Sequence, residues 1–254
     1  MKARNYLTVI AVWLASCSVL EERAGCPCRL EIDLSAYAPF GRYAEVAVWN
    51  GPDAFQETAP AAADWSRDIT KGEVLASAWT GQRDGRLSGT RFIVPQGKEP
   101  DSLRVWSQWL DCRDEICRVK AMPHKQYARV TVRFAGAVLP WPYQLYVESD
   151  CFGLDLEDLS PLIGDLIFPV RQATDGAFRF DLLRHHPGTS VSLGLYEDTE
   201  RADVLPLSEW MQKAGYDWEA EDLADIAFAI DYARSRVLIE IAGWSAGDYL
   251  EVDL

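Results

Sequence analysis

Apolar and polar residues alternate with a period of two through most of this chain, and turn residues repeatedly cut the alternation. In Arg29-Leu30-Glu31-Ile32-Asp33-Leu34 the side chains of Leu30, Ile32 and Leu34 fall on one face of an extended strand. Ala44–Trp49 is a second run of this kind and stops at Asn50-Gly51-Pro52, a strong turn signal. Glu73–Thr80, Thr90–Val94 and Leu103–Leu110 read as further strands, with a loop at Pro60–Ala63. A second series starts near Lys120 with Ala128–Phe134, broken by Ala135-Gly136, and continues with Tyr143–Glu148, Ala177–Leu183 and Val191–Tyr196. One helix interrupts it, Pro206–Gly215, with Gly215 as its C-terminal stop. Ile226–Tyr232 and Arg236–Ile241 then form an antiparallel hairpin, and Tyr249–Leu254 alternates again. The pattern predicts an all-β protein of two tandem domains, with a boundary near residues 119–124 and one short helix in the second.

The first residues depart from this pattern. Lys2 and Arg4 are followed by the apolar run Tyr6–Leu14 and then Ala15-Ser16-Cys17, the order of a secretory signal. That run is well short of the roughly 20 residues that span a bilayer as a helix. Leu14-Ala15-Ser16-Cys17 also fits a lipobox, in which Cys17 takes acyl chains such as palmitate before cleavage ahead of it. An ordinary cleaved signal with an unmodified Cys17 is the alternative. Stable anchoring takes at least two chains, at about 0.8 kcal/mol per buried methylene. Glu21-Glu22, just past the tether's start, fits a signal for export to the cell surface.

Removing residues 1–16 leaves 238 residues and, with Lys2 and Arg4 gone, a net charge of −16 against −14 for the whole sequence. So acidic a surface argues against nucleic acid as a partner. Export also places the remaining cysteines where disulfides are permitted. Cys112 and Cys117 bracket four residues and are expected to bridge across a hairpin. Cys26 and Cys28 flank Pro27; a bridge between them would be a strained ring, so one of them pairing with Cys151 is an open alternative. Zinc fits less well, because Cys-x-Cys with Cys-x4-Cys is not a usual ligand spacing.

Little in the chain points to catalysis. Of three histidines, His185-His186 precedes the turn Pro187-Gly188 and reads as an exposed loop pair, and His124 falls at the expected domain junction. Nucleophile-elbow, metal-helix, phosphate-loop and dinucleotide signatures are missing, and carboxylates such as Asp155, Glu157 and Asp158 read as a solvated face. The expectation is a non-enzymatic protein without cofactor or metal. Ten tryptophans are many for this length. Trp106 and Trp109 share a strand at an odd spacing and so point to opposite faces; Trp141 sits between two prolines. Exposed aromatics of this kind can stack on sugar rings, so a surface glycan-binding lipoprotein is the alternative function.

An ordered set of segments resembles the fimbrillin-A associated anchor protein family, minor subunits of type V fimbriae. The set runs from Leu14–Val19 and Gly25-Cys26-Pro27-Cys28-Arg29-Leu30, through His124–Val132 and Phe152–Leu156, to Gly215-Tyr216-Asp217-Trp218 and the last hairpin to Trp244. The resemblance implies a signal over residues 1–16, a lipidated tether over 17–27, and two transthyretin-like or immunoglobulin-like β-sandwiches over 28–121 and 122–254. It also implies a surface-exposed outer-membrane lipoprotein, held in membrane lipid through Cys17, that anchors fimbrillin polymers by strand exchange and limits their length.

Overall fold

A computed structural model of the chain describes residues 26–51, 53–136, 141, 143–243 and 248–254. The signal region, Cys17, Pro140, Pro142 and Trp244 therefore lie outside the described residues. The strands of the first part are β1 (Cys28–Asp33), β2 (Tyr43–Asn50), β3 (Asp53–Pro60), β4 (Asp64–Ile69), β5 (Glu73–Thr80), β6 (Arg86–Ser88), β7 (Arg91–Ile93), β8 (Arg104–Asp111), β9 (Ile116–Lys120) and β10 (His124–Lys125). Then come β11 (Tyr127–Phe134), β12 (Gln144–Asp155), β13 (Pro161–Val170), β14 (Phe178–Leu183), β15 (Val191–Glu197), β16 (Glu200–Leu205), helix α1 (Leu207–Lys213), β17 (Ile226–Asp231), β18 (Arg236–Ile241) and β19 (Leu250–Asp253). The all-β expectation holds, and every strand read from alternation is present within a few residues. No helix among the described residues is long and apolar enough to cross a membrane.

The first sandwich packs the sheet β4-β1-β9 against β10-β8-β5-β2-β3. Leu30 and Ile32 from β1 meet Val46, Val48, Val74, Ala76 and Ala78 from the larger sheet in one buried cluster. Tyr37 closes it: its hydroxyl donates to Ala78 O at 2.5 Å and accepts the Trp106 N–H at 3.1 Å, satisfying the buried phenol. In the second sandwich β14-β11-β17-β18-β19 faces β16-β15-β12-β7-β6, and β13 pairs with the other edge of β12. Val130, Val132, Phe180, Phe228 and Ile239 fill its core, and α1 adds Leu207, Trp210 and Met211.

β5 explains how the two sandwiches meet. Its burial pattern has six buried residues in succession, Val74 to Trp79, where a half-exposed strand would alternate. Val74, Ala76 and Ala78 face the first core. On the opposite face Trp79, with Ala47 and Val105 from the neighbouring strands, joins the core of the second sandwich. The polar pair on that face is satisfied locally: Ser77 and Ser107 are directly opposed and hydrogen-bonded, and the Ser107 hydroxyl donates to Leu156 O just past β12. Strands β6 and β7 cross in the same direction. They precede the expected boundary in sequence, yet β7 pairs antiparallel with the end of β12, Phe92 opposite Leu154. That pairing brings the backbone so close that a Cβ on Gly153 would sit 2.3 Å from Phe92 O, so only glycine fits there.

Seven strands were not legible as such. β13 carries Pro161, Gly164 and Pro169, residues that break most strands; it is tolerated at an edge, with register shifts against β12 between Ser149 and Cys151 and between Cys151 and Gly153. β3, β4, β6, β9, β10 and β16 are short or charged edge pieces without a clear apolar alternation.

Trp79 is fully buried and donates its indole N–H to Gln82 Oε1 at 2.9 Å. Replacing it with Ala is expected to cost about 3–5 kcal/mol through lost burial and a cavity between the sandwiches. Urea unfolding checks this; a loss below about 1 kcal/mol would mean that Trp79 does not join the two cores.

Candidate functional site

Two features stand out: the edges of the sheets and a cleft at the junction. A sheet edge offers unpaired N–H and C=O groups to which another chain adds a strand. On one side of the second sandwich both edges are closed by a strap, residues 95–103. Gln96 works there like a short strand: its Oε1 accepts the Ile167 N–H at 3.2 Å and its Nε2 donates to Asp165 O, while the Gly97 N–H reaches Ile167 O at 3.0 Å. That covers β13. Next to it, Glu99 Oε1 accepts the Asp181 N–H at 2.9 Å and covers β14. Burial, with Asp181 alongside, raises the Glu99 pKa. The Asp181 carboxylate is itself buried, held by Arg129 at 2.9 and 3.1 Å and by Ser102 of the strap. Asp101, fully buried, accepts the N–H groups of Asp84 and Gly85 ahead of β6.

On the opposite side, no strand among the described residues pairs with the outer edge of β19. β19 pairs with Arg236–Ile239 of β18 and leaves Glu240 and Ile241 beyond its reach. Its inward residues, Leu250 and Val252, are only half-buried against the core. Arg236 and Glu251 are 2.9 Å apart across the pair, a partly exposed contact that contributes at most about 1 kcal/mol. On the outer face lies a trough of about 250 Å³ floored by Thr131, Ala227, Ala229 and Leu238, with Tyr249, 60% exposed, at its rim. The outer strands β3, β4 and β16 instead present rows of charge, such as Arg67 and Asp68 or Glu200, Arg201 and Asp203, which discourage added strands.

The junction cleft has about 690 Å³ and gathers all three histidines with Arg184, Trp218 and Asp158. Its groups are engaged within the fold. Arg184 donates to Gln126 Oε1 at 2.7 Å, to Trp218 O, and to Ala220 O at 2.7 Å, so its cation holds the loop at its rim; burial lowers its pKa. His124 lies at the junction as expected, 3.1 Å from Glu221 and 3.5 Å from Asp222. The reading of His185-His186 as an exposed pair is corrected for one member: His186 is exposed, but His185 is buried against Trp218 with ring centroids 4.8 Å apart. Its Nδ1 is 2.6 Å from Leu183 O and its Nε2 2.9 Å from Ser149 Oγ. Nδ1 therefore donates to the carbonyl and Nε2 accepts from the hydroxyl. Ser149 also accepts the Cys151 N–H at 3.1 Å, and it is buried, so this Ser–His contact is a closed structural network and not an accessible nucleophile.

Cys28, Cys112 and Cys117 come together at one end of the first sandwich, Cys26 is exposed nearby in sequence, and Cys151 is buried in the second sandwich. Cys112 and Cys117 do not flank a hairpin, because β9 pairs with β1 and not with β8. The odd spacing of Trp106 and Trp109 works as expected: Trp106 is 7% exposed and Trp109 53%. Trp141, the suggested sugar platform, is stacked on Phe134 at 4.3 Å and packed edge-on to Tyr143 and Phe178. The strap, the β19 edge and the buried state of His185 had no local signal in the sequence.

No protein-family profile matches the chain, and no curated protein matches it. Solved structures match in fold. A candidate polysaccharide-binding protein from Bacteroides thetaiotaomicron superposes with a TM-score of 0.60 at 14% identity, over 89% of this chain and 98% of that one. The fimbrial anchor protein Mfa2 from Porphyromonas gingivalis gives 0.56 at 14% identity, over 86% and 98%. A candidate adhesin from Bacteroides ovatus gives 0.58 at 13% identity, over 89% and 95%. At these identities the likeness is one of fold, and it spans nearly the whole of each molecule.

Burial holds the His185 pKa down at about 4, against 6.5 for a free side chain. Between these values the unfolded chain binds the extra proton and the folded chain does not. Stability present above pH 6.5 is therefore lost as pH falls toward 4, by about 2 kcal/mol between pH 7 and pH 5. Urea unfolding at the two pH values checks this, with His185→Gln expected to remove that part of the slope.

Proposed function

We propose that this chain is the anchor subunit of a fimbrial polymer: a non-enzymatic lipoprotein of the cell surface, held in the outer membrane by acylated Cys17. In this reading it grips a fimbrillin subunit by strand exchange at the β18–β19 edge and so fixes the polymer base and limits its length. The observation that carries the reading is the fold likeness to a fimbrial anchor over nearly the full chain. Three further features support it. The start of the chain has the order of a lipoprotein signal ending at Cys17. The tether from Cys17 to the start of β1 at Cys28 reaches roughly 35 Å when extended, enough to keep the fold close to the bilayer. The strap closes one side of the second sandwich, while β19 is short, half-buried and the easier strand to displace.

The alternative, glycan binding through exposed tryptophans, needs a free aromatic face. Trp109 is the exposed tryptophan among the described residues, and Trp141 is packed. Nothing in the site favours that reading over the first.

In the native cell, Cys17→Ala is expected to shed fimbriae into the medium or let them grow abnormally long. If the protein is released and the fimbriae stay attached at normal length, the anchor reading fails. Val252→Pro removes an N–H from β19 opposite Val237. It is expected to lower the melting temperature by a few degrees and, by easing displacement of β19, to strengthen fimbrillin capture about tenfold in a surface-binding assay; unchanged capture would move the grip to another edge.

A further inference from the structure

Three sulfurs meet where the tether enters the first sandwich. Cys28 opens β1 and Cys112 follows β8; both are fully buried in the first core, and the half-buried Cys117 of β9 packs on the same core. β1 and β9 run parallel with Leu30 opposite Cys117. Cys28, two residues before Leu30, therefore projects from the same face one diagonal step away. Cys112 comes from the opposing sheet, fixed by its N–H to Gly72 O at 2.8 Å. There it lies in the same packed cluster as Cys28 and Cys117, and burial, with both neighbouring thiols adding to it, raises its pKa. Cys151 is engaged elsewhere, its thiol 3.3 Å from Gly153 O and 3.4 Å from Arg184 O. No group of three or more His, Cys, Asp or Glu among the described residues is arranged to hold a metal ion.

We infer that Cys28, Cys112 and Cys117 form one oxidation site, in which Cys112 and Cys117 close as a disulfide and Cys28 stays a thiol that substitutes when Cys117 is absent. The chemistry is exchange with an external disulfide, either a small one such as oxidised glutathione or that of an exported thiol–disulfide oxidoreductase. Cys117, the accessible member, attacks as the thiolate and forms a mixed disulfide, releasing one carrier thiol. Cys112 then loses its proton and displaces the second carrier thiol. Two protein thiols give up two electrons and two protons, and the carrier disulfide becomes two thiols.

The bond would tie the end of β8 in the five-stranded sheet to β9 in the three-stranded one. Among the described residues no disulfide joins these sheets, and β9 is an edge strand with β1 as its partner. The staple would stand beside Cys28, the residue through which any pull on the N-terminal tether enters β1. The chemistry of the site is independent of whether the chain anchors fimbriae.

The test uses the purified full chain treated with oxidised glutathione, alkylated in denaturant, digested with trypsin and analysed by mass spectrometry. Cleavage after Arg113 separates the two cysteines. The expected result is a linked pair of peptides carrying Cys112 and Cys117, a mass loss of about 2 Da, and alkylated Cys28. In Cys117→Ser the link should move to Cys28 and Cys112. Full alkylation of Cys112 after oxidation would overturn the assignment, and so would a link of Cys112 or Cys117 to Cys26 or Cys151. A Cys28 link in the unsubstituted chain would also overturn it. Any of these outcomes would leave the fimbrial reading, tested on Cys17, untouched.

Discussion

Strand β5, at the centre of the sheet β10-β8-β5-β2-β3, has both faces covered, and the rest of the architecture depends on that. β5 is buried from Val74 to Trp79, with small alanines at 76 and 78 toward the first core and Trp79 toward the second. Burying both faces of a central strand removes the solvent side that an antiparallel sheet usually keeps. It also buries Ser77, whose hydroxyl must be paired; its bond to the partly buried Ser107, and the relay on to Leu156 O, meet that demand and join the layers by a directed bond. β7 and the strap add crossings of the same junction. The two sandwiches are therefore one packed body whose two apolar cores lie on opposite faces of a shared sheet, and not beads on a linker.

If the chain is held at its N-terminus as proposed, that construction would serve it. The segment ahead of Cys28 leads into β1 in the first sandwich, and the β19 edge lies in the second. Tension between them must cross the junction. A junction made of interdigitated side chains on both sides of a shared sheet transmits such tension without opening, whereas a wet interface of a few ion pairs would yield first. The junction cleft fits this account: Arg184, His124 and His185 all bond within the fold around it, which makes it a seam between packed layers.

Much of this was legible in the sequence and some could not be. Several strands of each sandwich are apolar and alternating, so β1, β2, β8, β11, β14, β17 and β18 declared themselves through period two. The face assignment of Trp106 and Trp109 followed from the same rule. β5 was legible as a strand, but its lack of polar alternation was the hint that both faces are buried. β13 was hidden because Pro161, Gly164 and Pro169 oppose strand propensity and only pairing with β12 sustains it. His185 looked like a loop residue beside Pro187-Gly188; its burial comes from Ser149 and Trp218, which are distant in sequence. The spacing of Cys112 and Cys117 suggested a hairpin, while the pairing of β9 with β1 depends on contacts no local pattern encodes. Which edges are capped was likewise illegible, since the strap uses side chains of Gln96 and Glu99 to satisfy backbone groups far along the chain.

The claim that the two sandwiches are one cooperative body is tested most directly by native-state hydrogen exchange across rising denaturant. The account predicts that the amides of Ala76 and Ala78 in β5 and of Val130 and Phe228 in the second sandwich exchange only through global unfolding, with one shared free energy and one denaturant slope. If the β5 amides exchange through an opening of lower free energy and smaller slope while β11 and β17 stay protected, the first sandwich unfolds on its own and the shared-sheet account is wrong.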